Sequence, residues 1–199
     1  MPSPTLPEST VEIACIVDRS GSMQSVRSDA IGGFNAFLQA QREEPGEARL
    51  TLALFDHEYE RAMDSVPLRE VPDLTNATYQ PGGNTALFDA IGRTLHDLNV
   101  RLKATPEEKR PGKVIVAILT DGKENASTDY TSAQTADAVA ARRADGWEFV
   151  FLAANQDAVL SAKRVGIAAA DAMSFNSNAE GTKNAFARMS KAVSARRKH

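Results

Sequence analysis

Short apolar, β-branched runs alternate along this chain with segments of helical periodicity, and this alternation restricts its fold more than any other feature. Residues 11–17, 49–55, 114–119 and 147–154 predict strands, because such runs are typical of strands buried on both faces. Between two of these runs, apolar residues recur at helical spacing over residues 87–102. Alternating strands and helices predict an α/β fold, with a doubly wound, mainly parallel sheet covered by helices on both faces.

Two further strands complete a predicted sheet of six. Residues 59–66 return after a turn at residues 56–58 and predict an antiparallel edge strand, and residues 172–175 predict a short last strand. Further helices are predicted from residue 24 onward, over about 132–144 and 157–165, and around Phe186, Met189 and Val193. We divide the chain into a Pro-rich lead-in at residues 1–10, a single domain at 11–195 and a solvated basic tail at 196–199.

Composition and charge narrow the class of protein. The 199 residues are 42% hydrophobic and 25% charged, as in one globular domain with a sizeable core. A formal net charge of −3 argues against a nucleic-acid binder, which needs a basic face.

The single cysteine and the first residues of the chain bear on the cellular location of the protein. Cys15 is the only cysteine and lies in an apolar run, so we expect a buried core residue and no internal disulfide. The first residues lack the basic start and apolar stretch of a signal peptide, and no run approaches the length of a membrane span. We therefore expect a cytoplasmic protein.

Oxygen-bearing side chains alternate directly after the first predicted strand. Asp18, Ser20 and Ser22 stand at every second position, and Gly21 permits a sharp turn between the two serines. One carboxylate with neutral oxygens is the kind of donor set that a hard cation such as Mg²⁺ prefers. Taken alone, the same residues also fit an ordinary helix N-cap.

Two other polar segments fall at comparable places. Pro81-Gly82-Gly83-Asn84-Thr85 precedes a helical run, and Thr120-Asp121-Gly122-Lys123-Glu124-Asn125 follows the strand predicted at residues 114–119. In open α/β sheets, ligands bind outside the carboxyl ends of the strands, where the strand order reverses. The three segments are therefore expected to meet at one edge of the sheet.

Together, these segments resemble the metal-ion-dependent adhesion site (MIDAS) of the von Willebrand factor type A (VWA) family. That family's pattern is Asp-x-Ser-x-Ser after the first strand, a Thr in a second loop and an Asp after the fourth strand. Asp18, Ser20, Ser22, Thr85 and Asp121 match it without departure. The resemblance extends from Val11 to the last helix, and it is to a single-domain intracellular bacterial type with a Rossmann-like VWA fold.

The resemblance carries expectations about ligands. It implies that these five residues hold Mg²⁺ or Mn²⁺, with Ca²⁺ as a further candidate, and that a partner protein supplies an Asp or Glu carboxylate to the ion. It also implies a module without enzymatic activity that works inside a multiprotein assembly. We expect the isolated protein to be a monomer that binds neither nucleic acid nor membranes.

A Mg²⁺-dependent phosphohydrolase or phosphotransferase is the alternative from another functional class. Such enzymes also carry an Asp at the end of the first strand, but they need an activated nucleophile or base. Ser20 stands where the common Asp-x-Asp phosphatase pattern has its second Asp, and the sequence has no Gly-x-x-x-x-Gly-Lys-Ser/Thr loop. A domain with a purely structural role and no metal is a third reading.

For several neighbouring polar residues, the sequence allows either a role at the site or an ordinary position on the surface. Their positions are Glu124 and Asn125, which follow Asp121, and Asn155, Gln156 and Asp157, which follow another predicted strand. Gly83 and Asn84 are expected to shape the Thr85 loop. His57 and His96 are expected to lie away from these segments.

Overall fold

Strands and helices alternate in the structure, a computed structural model that describes residues 10–154 and 158–198. Six strands occur in these ranges: β1 (Val11–Asp18), β2 (Ala48–Phe55), β3 (Tyr59–Pro67), β4 (Lys113–Thr120), β5 (Glu148–Ala154) and β6 (Ala172–Phe175). Five α-helices accompany them: α1 (Arg27–Glu43), α2 (Leu87–Ala104), α3 (Ser132–Ala144), α4 (Ala158–Arg164) and α5 (Ala179–Arg197).

The six strands form one sheet in the order β3-β2-β1-β4-β5-β6. Strand β3 pairs antiparallel to β2 at one edge, and all other neighbours are parallel. The strand order reverses between β1 and β4, where Val17 lies opposite Leu119. The predicted fold class is thus confirmed, and the reversal brings the segments after β1 and β4 side by side.

Helices cover both faces of the sheet because β1 alternates its apolar side chains between two cores. Cys15 and Val17 point into a core with α1 and α5, while Ala14 and Ile16 point into a core with α2 and α3. The first core contains Phe34 of α1, whose ring packs edge-on against Phe186 of α5 with centroids 6.2 Å apart. Burial on both faces explains why the central strands are almost continuously apolar.

Two predictions about local structure were wrong. Residues 21–26 form a 3-10 helix before α1, so the first α-helix begins at Arg27 and not near residue 24. Helix α5 continues through Arg197, and its last turn is not a solvated tail: Arg196 forms ion pairs with Glu148 and Asp171. The proposed lead-in lies outside the described residues except for Thr10.

A buried charged network closes the end of the sheet opposite the carboxyl ends of the parallel strands. Glu12 is only 1% exposed. Its Oε1 accepts a hydrogen bond from Thr51 Oγ1 (2.6 Å) and lies 3.0 Å from Nη2 of Arg101, while its Oε2 accepts from Ser65 Oγ (2.8 Å). Ser65 has a left-handed backbone (φ 51°) near an irregularity in the β2–β3 pairing. The network fastens the edge strand to the centre of the sheet.

Two further expectations can be compared with the structure. Cys15 is fully buried, and this burial raises the pKa of its thiol, as expected for an inert core residue. Among the helices that the structure describes, none is both long and apolar enough to cross a bilayer.

Candidate metal centre

Asp18, the last residue of β1, is completely buried at the carboxyl edge of the sheet. Its Oδ1 accepts a hydrogen bond from the backbone N–H of Ser20 (2.7 Å). Its Oδ2 accepts one from Thr120 Oγ1 (2.6 Å), at the end of the neighbouring strand β4. The two bonds fix the orientation of the carboxylate, because each uses one of its oxygens.

The two serines and Asp121 form a chain of oxygens beside Asp18. The hydroxyl oxygens of Ser20 and Ser22 lie 3.2 Å apart, and Ser22 Oγ donates to Asp121 Oδ1 (2.5 Å). The other oxygen of Asp121 accepts from Ser177 Oγ (3.1 Å), in the segment before α5. Ser20 is almost fully buried, whereas Ser22 is exposed, so the chain runs from the protein interior to the surface.

Thr85 reaches this group from the second loop. A methyl group placed on Gly122 would come within 2.6 Å of Thr85 Oγ1 and 3.4 Å of Ser20 Oγ, so both hydroxyls border the same small space. Thr85 is buried, and it precedes α2 by two residues. The structure therefore brings all five predicted site residues together at one edge of the sheet.

Backbone hydrogen bonds join the first and second loops. The N–H of Gly82 donates to the carbonyl of Arg19 (2.9 Å), and the N–H of Gly21 donates to the carbonyl of Gly83 (3.0 Å). Gly83 has a left-handed backbone (φ 66°), and a side chain there would overlap the imidazole of His57. The expectation that His57 lies away from these segments was therefore wrong: the β2–β3 turn brings it against the second loop.

Two of the open polar residues have structural contacts that position this loop. Asn125 holds Thr85 at both ends: its Oδ1 accepts from the Thr85 N–H (2.8 Å) and its own N–H donates to the Thr85 carbonyl (3.0 Å). Glu124 accepts from the N–H of Phe88 (3.0 Å) and from the hydroxyl of Ser127 (2.8 Å). Both residues therefore stabilise the conformation of the loop that carries Thr85. Asn155, Gln156 and Asp157 lie outside the described residues.

Tyr79 is a site neighbour that the sequence did not indicate. Its hydroxyl donates to the backbone carbonyl of Asp18 (2.6 Å), and the residue is fully buried. Burial first, and then the charge of Asp18, raise the pKa of this phenol well above its ordinary value, so it remains a donor. The only signal in the sequence was an aromatic residue in a segment predicted to be a loop.

The site contains two carboxylates, those of Asp18 and Asp121, and the part of the chain that the structure describes supplies no cation that pairs with either. Burial raises the pKa of Asp18, and the charge of Asp121 raises it further, while the hydrogen bonds from Thr120 and Ser20 lower it. Among the described residues, no Arg, Lys or His forms an ion pair with Asp18 or Asp121. Arg19, the nearest cation in sequence, turns away to pair with Asp56 and Glu60.

The donor set fits a hard divalent cation. Asp18, Ser20, Ser22, Thr85 and Asp121 offer only carboxylate and hydroxyl oxygens, the ligands of Mg²⁺, Mn²⁺ and Ca²⁺. Within the described residues, no cluster of three or more His, Cys, Asp or Glu is arranged to hold a metal. A cation at this edge would relieve the repulsion between the two carboxylates.

Comparison with solved structures identifies the fold. The chain resembles proximal thread matrix protein 1 (PTMP1) of the mussel byssus, with a TM-score of 0.62 and 15% identity over 93% of this chain and 46% of that one. It also resembles the vWF domain of the type V pili tip protein Mfa5 from Porphyromonas gingivalis, with a TM-score of 0.62 and 10% identity over 97% of both chains. The fold is therefore that of VWA domains.

Metal-bound structures also occur among the similar proteins. One PTMP1 structure has a zinc-occupied MIDAS motif (TM-score 0.63, 14% identity, 92% of this chain and 46% of that one). The manganese-loaded TRAP protein of Plasmodium vivax is similar with a TM-score of 0.54 and 18% identity, over 73% of this chain and 57% of that one. This chain spans about half the length of the PTMP1 structures. No protein-family profile and no curated protein sequence matches it.

Proposed function

We propose that this protein is a metal-dependent binding module that recognises an acidic side chain of a partner protein. Asp18, Ser20, Ser22, Thr85 and Asp121 would hold one divalent cation, Mg²⁺ or Mn²⁺, with Ca²⁺ as a further candidate. The observation that carries this proposal is the buried Asp18 carboxylate, which lies close to a second carboxylate and has no ion-pair partner among the described residues. The zinc and manganese found in two proteins of this fold give additional support.

The partner's carboxylate follows from the expected coordination. Mg²⁺ takes about six oxygen ligands, and the five side chains supply at most five by single contacts. Ser22 is exposed, so a further oxygen ligand would approach this group of side chains from the surface. An anionic oxygen gains Coulomb energy at a cation that a neutral ligand does not, whereas Lys or Arg would be repelled.

We favour binding over catalysis at this site. Both oxygens of Asp18 accept hydrogen bonds from the protein, and the side chain is fully buried. Attack on a phosphate ester requires a carboxylate oxygen that reaches the substrate. Purified protein should therefore hydrolyse generic phosphate esters no faster in Mg²⁺ than an Asp18→Ala variant does; metal-dependent turnover lost in that variant would favour the phosphohydrolase or phosphotransferase alternative.

The proposed cellular setting is a cytoplasmic multiprotein assembly. Outside that assembly, the purified protein is proposed to be a monomer. Affinity purification from the native cell, with immobilised protein in Mg²⁺ or in chelator, tests the binding role directly. We expect partners that are retained in Mg²⁺ and released by chelator. Thr85→Ala should lose them, whereas Thr128→Ala should retain them, because the exposed Thr128 hydroxyl bonds only to Asp129. Retention by Thr85→Ala in chelator would contradict the proposal.

A further inference from the structure

A cleft opens beside the proposed metal centre, between the first turn of α2, the loop after β4 and helix α4. Its cavity volume is about 680 Å³. Gly122 forms part of its wall and also borders the hydroxyls of Thr85 and Ser20. The cleft therefore adjoins the proposed metal centre at Gly122, and a single extended segment could reach both.

Apolar side chains line the cleft near the surface. Leu87 and Phe88 form one wall, and Leu160 of α4 forms the other. Leu160 is 62% exposed, and its neighbour Val159 is 49% exposed. Contiguous exposed apolar patches with a polar rim mark interaction sites, whereas single exposed apolar residues do not. Leu160 thus offers a contact for an apolar side chain.

Cationic side chains surround this apolar surface. Of the described residues that line the cleft, Lys123, Lys163 and Arg164 are cationic and Glu124 is acidic. Both carboxylate oxygens of Glu124 already accept hydrogen bonds: Oε2 from Phe88 N and Ser127 Oγ, and Oε1 from the N–H groups of Ala126 (3.0 Å) and Ser127 (2.8 Å). Among the described lining residues, Lys163 and Arg164 of α4 therefore give the outer side of the cleft a positive charge.

We propose that this cleft binds an acidic segment of the partner and takes up one large aliphatic side chain of that segment. The inference rests on the proposed function, because it assumes that a carboxylate of the same segment binds the cation. Charge complementarity selects the acidic segment, and the exposed Leu160 beside Phe88 selects an aliphatic side chain near the metal-bound Asp or Glu.

Binding of short fluorescent peptides in saturating Mn²⁺ tests this inference. Each peptide carries one central Asp, acidic residues at its ends, and one Leu placed in turn at every position around the Asp. Matched peptides carry Ser in place of Leu, or Asn in place of the central Asp. We expect one Leu position to bind roughly tenfold more tightly than its Ser counterpart, as for a leucine buried against apolar surface.

Variants of exposed residues separate the cleft from the metal centre. Leu160→Ser should remove the preference for Leu and leave the weaker Mn²⁺-dependent binding of the acidic peptides. Val100→Ser is the matched control, because Val100 is an exposed apolar residue (52%) on α2 outside this cleft, and it should retain the preference. Lys163→Glu combined with Arg164→Glu should weaken the acidic peptides, and high salt should shrink that difference.

The outcomes distinguish the two proposals. An equal preference for Leu in Leu160→Ser, or no preference at any position, would overturn the cleft proposal. Binding of the Asp and Asn peptides that is equal in Mn²⁺ and in chelator would instead overturn capture of a carboxylate by the metal. Tighter binding of a single-stranded oligonucleotide of matched length would make nucleic acid the occupant and would also overturn the inference.

Discussion

Strand β1 carries a buried carboxylate near each of its ends, and the two are neutralised in different ways. Glu12 is 1% exposed, accepts hydrogen bonds from Thr51 and Ser65, and forms an ion pair with Arg101. Asp18 is 0% exposed and also accepts two hydrogen bonds, but the charged group that acts on its pKa is another carboxylate, Asp121. The end at Glu12 pairs with a cation of the chain, whereas the end at Asp18 pairs with none among residues 10–154 and 158–198.

The difference separates a structural polar cluster at Glu12 from the proposed metal site at Asp18. Burying a charge is costly unless an opposite charge and hydrogen bonds compensate it. Arg101 provides that compensation for Glu12 within the chain. At Asp18 the hydrogen bonds are present, but no Arg, Lys or His among the described residues pairs with it, and we propose that a divalent ion from solution compensates its charge. Variants at either end of β1 test this difference.

The largest effect is expected at the Glu12 end. Arg101→Ala leaves Glu12 as an unpaired buried charge, and it should lower the free energy of unfolding by about 3 kcal/mol. Arg61→Ala removes a guanidinium that pairs with Asp64 and Asp97 on the surface, and it should cost less than about 0.5 kcal/mol. Urea denaturation of both variants measures the difference. Equal stability of the two would mean that Glu12 does not depend on Arg101.

At the Asp18 end, the addition of one methyl group should lower the affinity for metal and leave the fold intact. Gly122→Ala places a methyl group 2.6 Å from Thr85 Oγ1 and should turn this hydroxyl away from the other ligands. We expect Mn²⁺ affinity to fall by about tenfold, as when the surroundings of metal ligands are altered. Gly82→Ala is the matched control, because nothing lies within 4 Å of the added carbon. Equal Mn²⁺ affinities of Gly122→Ala and Gly82→Ala in calorimetry would mean that Thr85 is not a metal ligand.

A third prediction concerns the charge of Asp18 without metal. Its pKa is raised in the folded protein, so its contribution to stability is complete below the unfolded pKa and is lost as the pH rises through the folded pKa. Asp18→Asn lacks this loss, and in chelator it should be more stable than the unmodified protein by about 1 kcal/mol near neutral pH.

Thermal denaturation in chelator, from about pH 4 to about pH 7, follows that difference. The advantage of Asp18→Asn should grow as the pH rises. Asp137→Asn changes an exposed carboxylate on α3 and should show no such growth. An advantage that shrinks with rising pH would mean that the folded protein stabilises the Asp18 carboxylate by itself.

The sequence predicted the fold well because burial on both faces produces continuous apolar strands. Ligands of open α/β sheets bind at the carboxyl ends of the strands, and this regularity also predicted that Asp18, Thr85 and Asp121 lie at one edge. Periodicity describes local structure, however, and does not show which loops touch. The contacts of Tyr79 with Asp18, of Asn125 with Thr85 and of His57 with Gly83 all join segments far apart in the chain, and none of them was predicted.

The end of α5 shows the same limit. Arg196 and Arg197 looked like part of a solvated tail because basic residues at a terminus are usually exposed. Arg196 instead pairs with Glu148 and Asp171, and Arg197 donates to the carbonyl of Gln41 (2.6 Å). These partners lie on other elements, so only the assembled structure shows that the last turn of the helix is held in place.

Isothermal titration of the metal-free protein with Mn²⁺ and Mg²⁺ tests the central claim most directly. Because the two ends of β1 differ in their need for a cation, we predict one binding site per chain that both Asp18→Asn and Asp121→Ala abolish. Glu12→Gln should retain this binding site, since the Glu12 carboxylate pairs with Arg101 at the other end of β1. Unchanged metal binding in both Asp18→Asn and Asp121→Ala would contradict the claim that this edge of the sheet holds the cation.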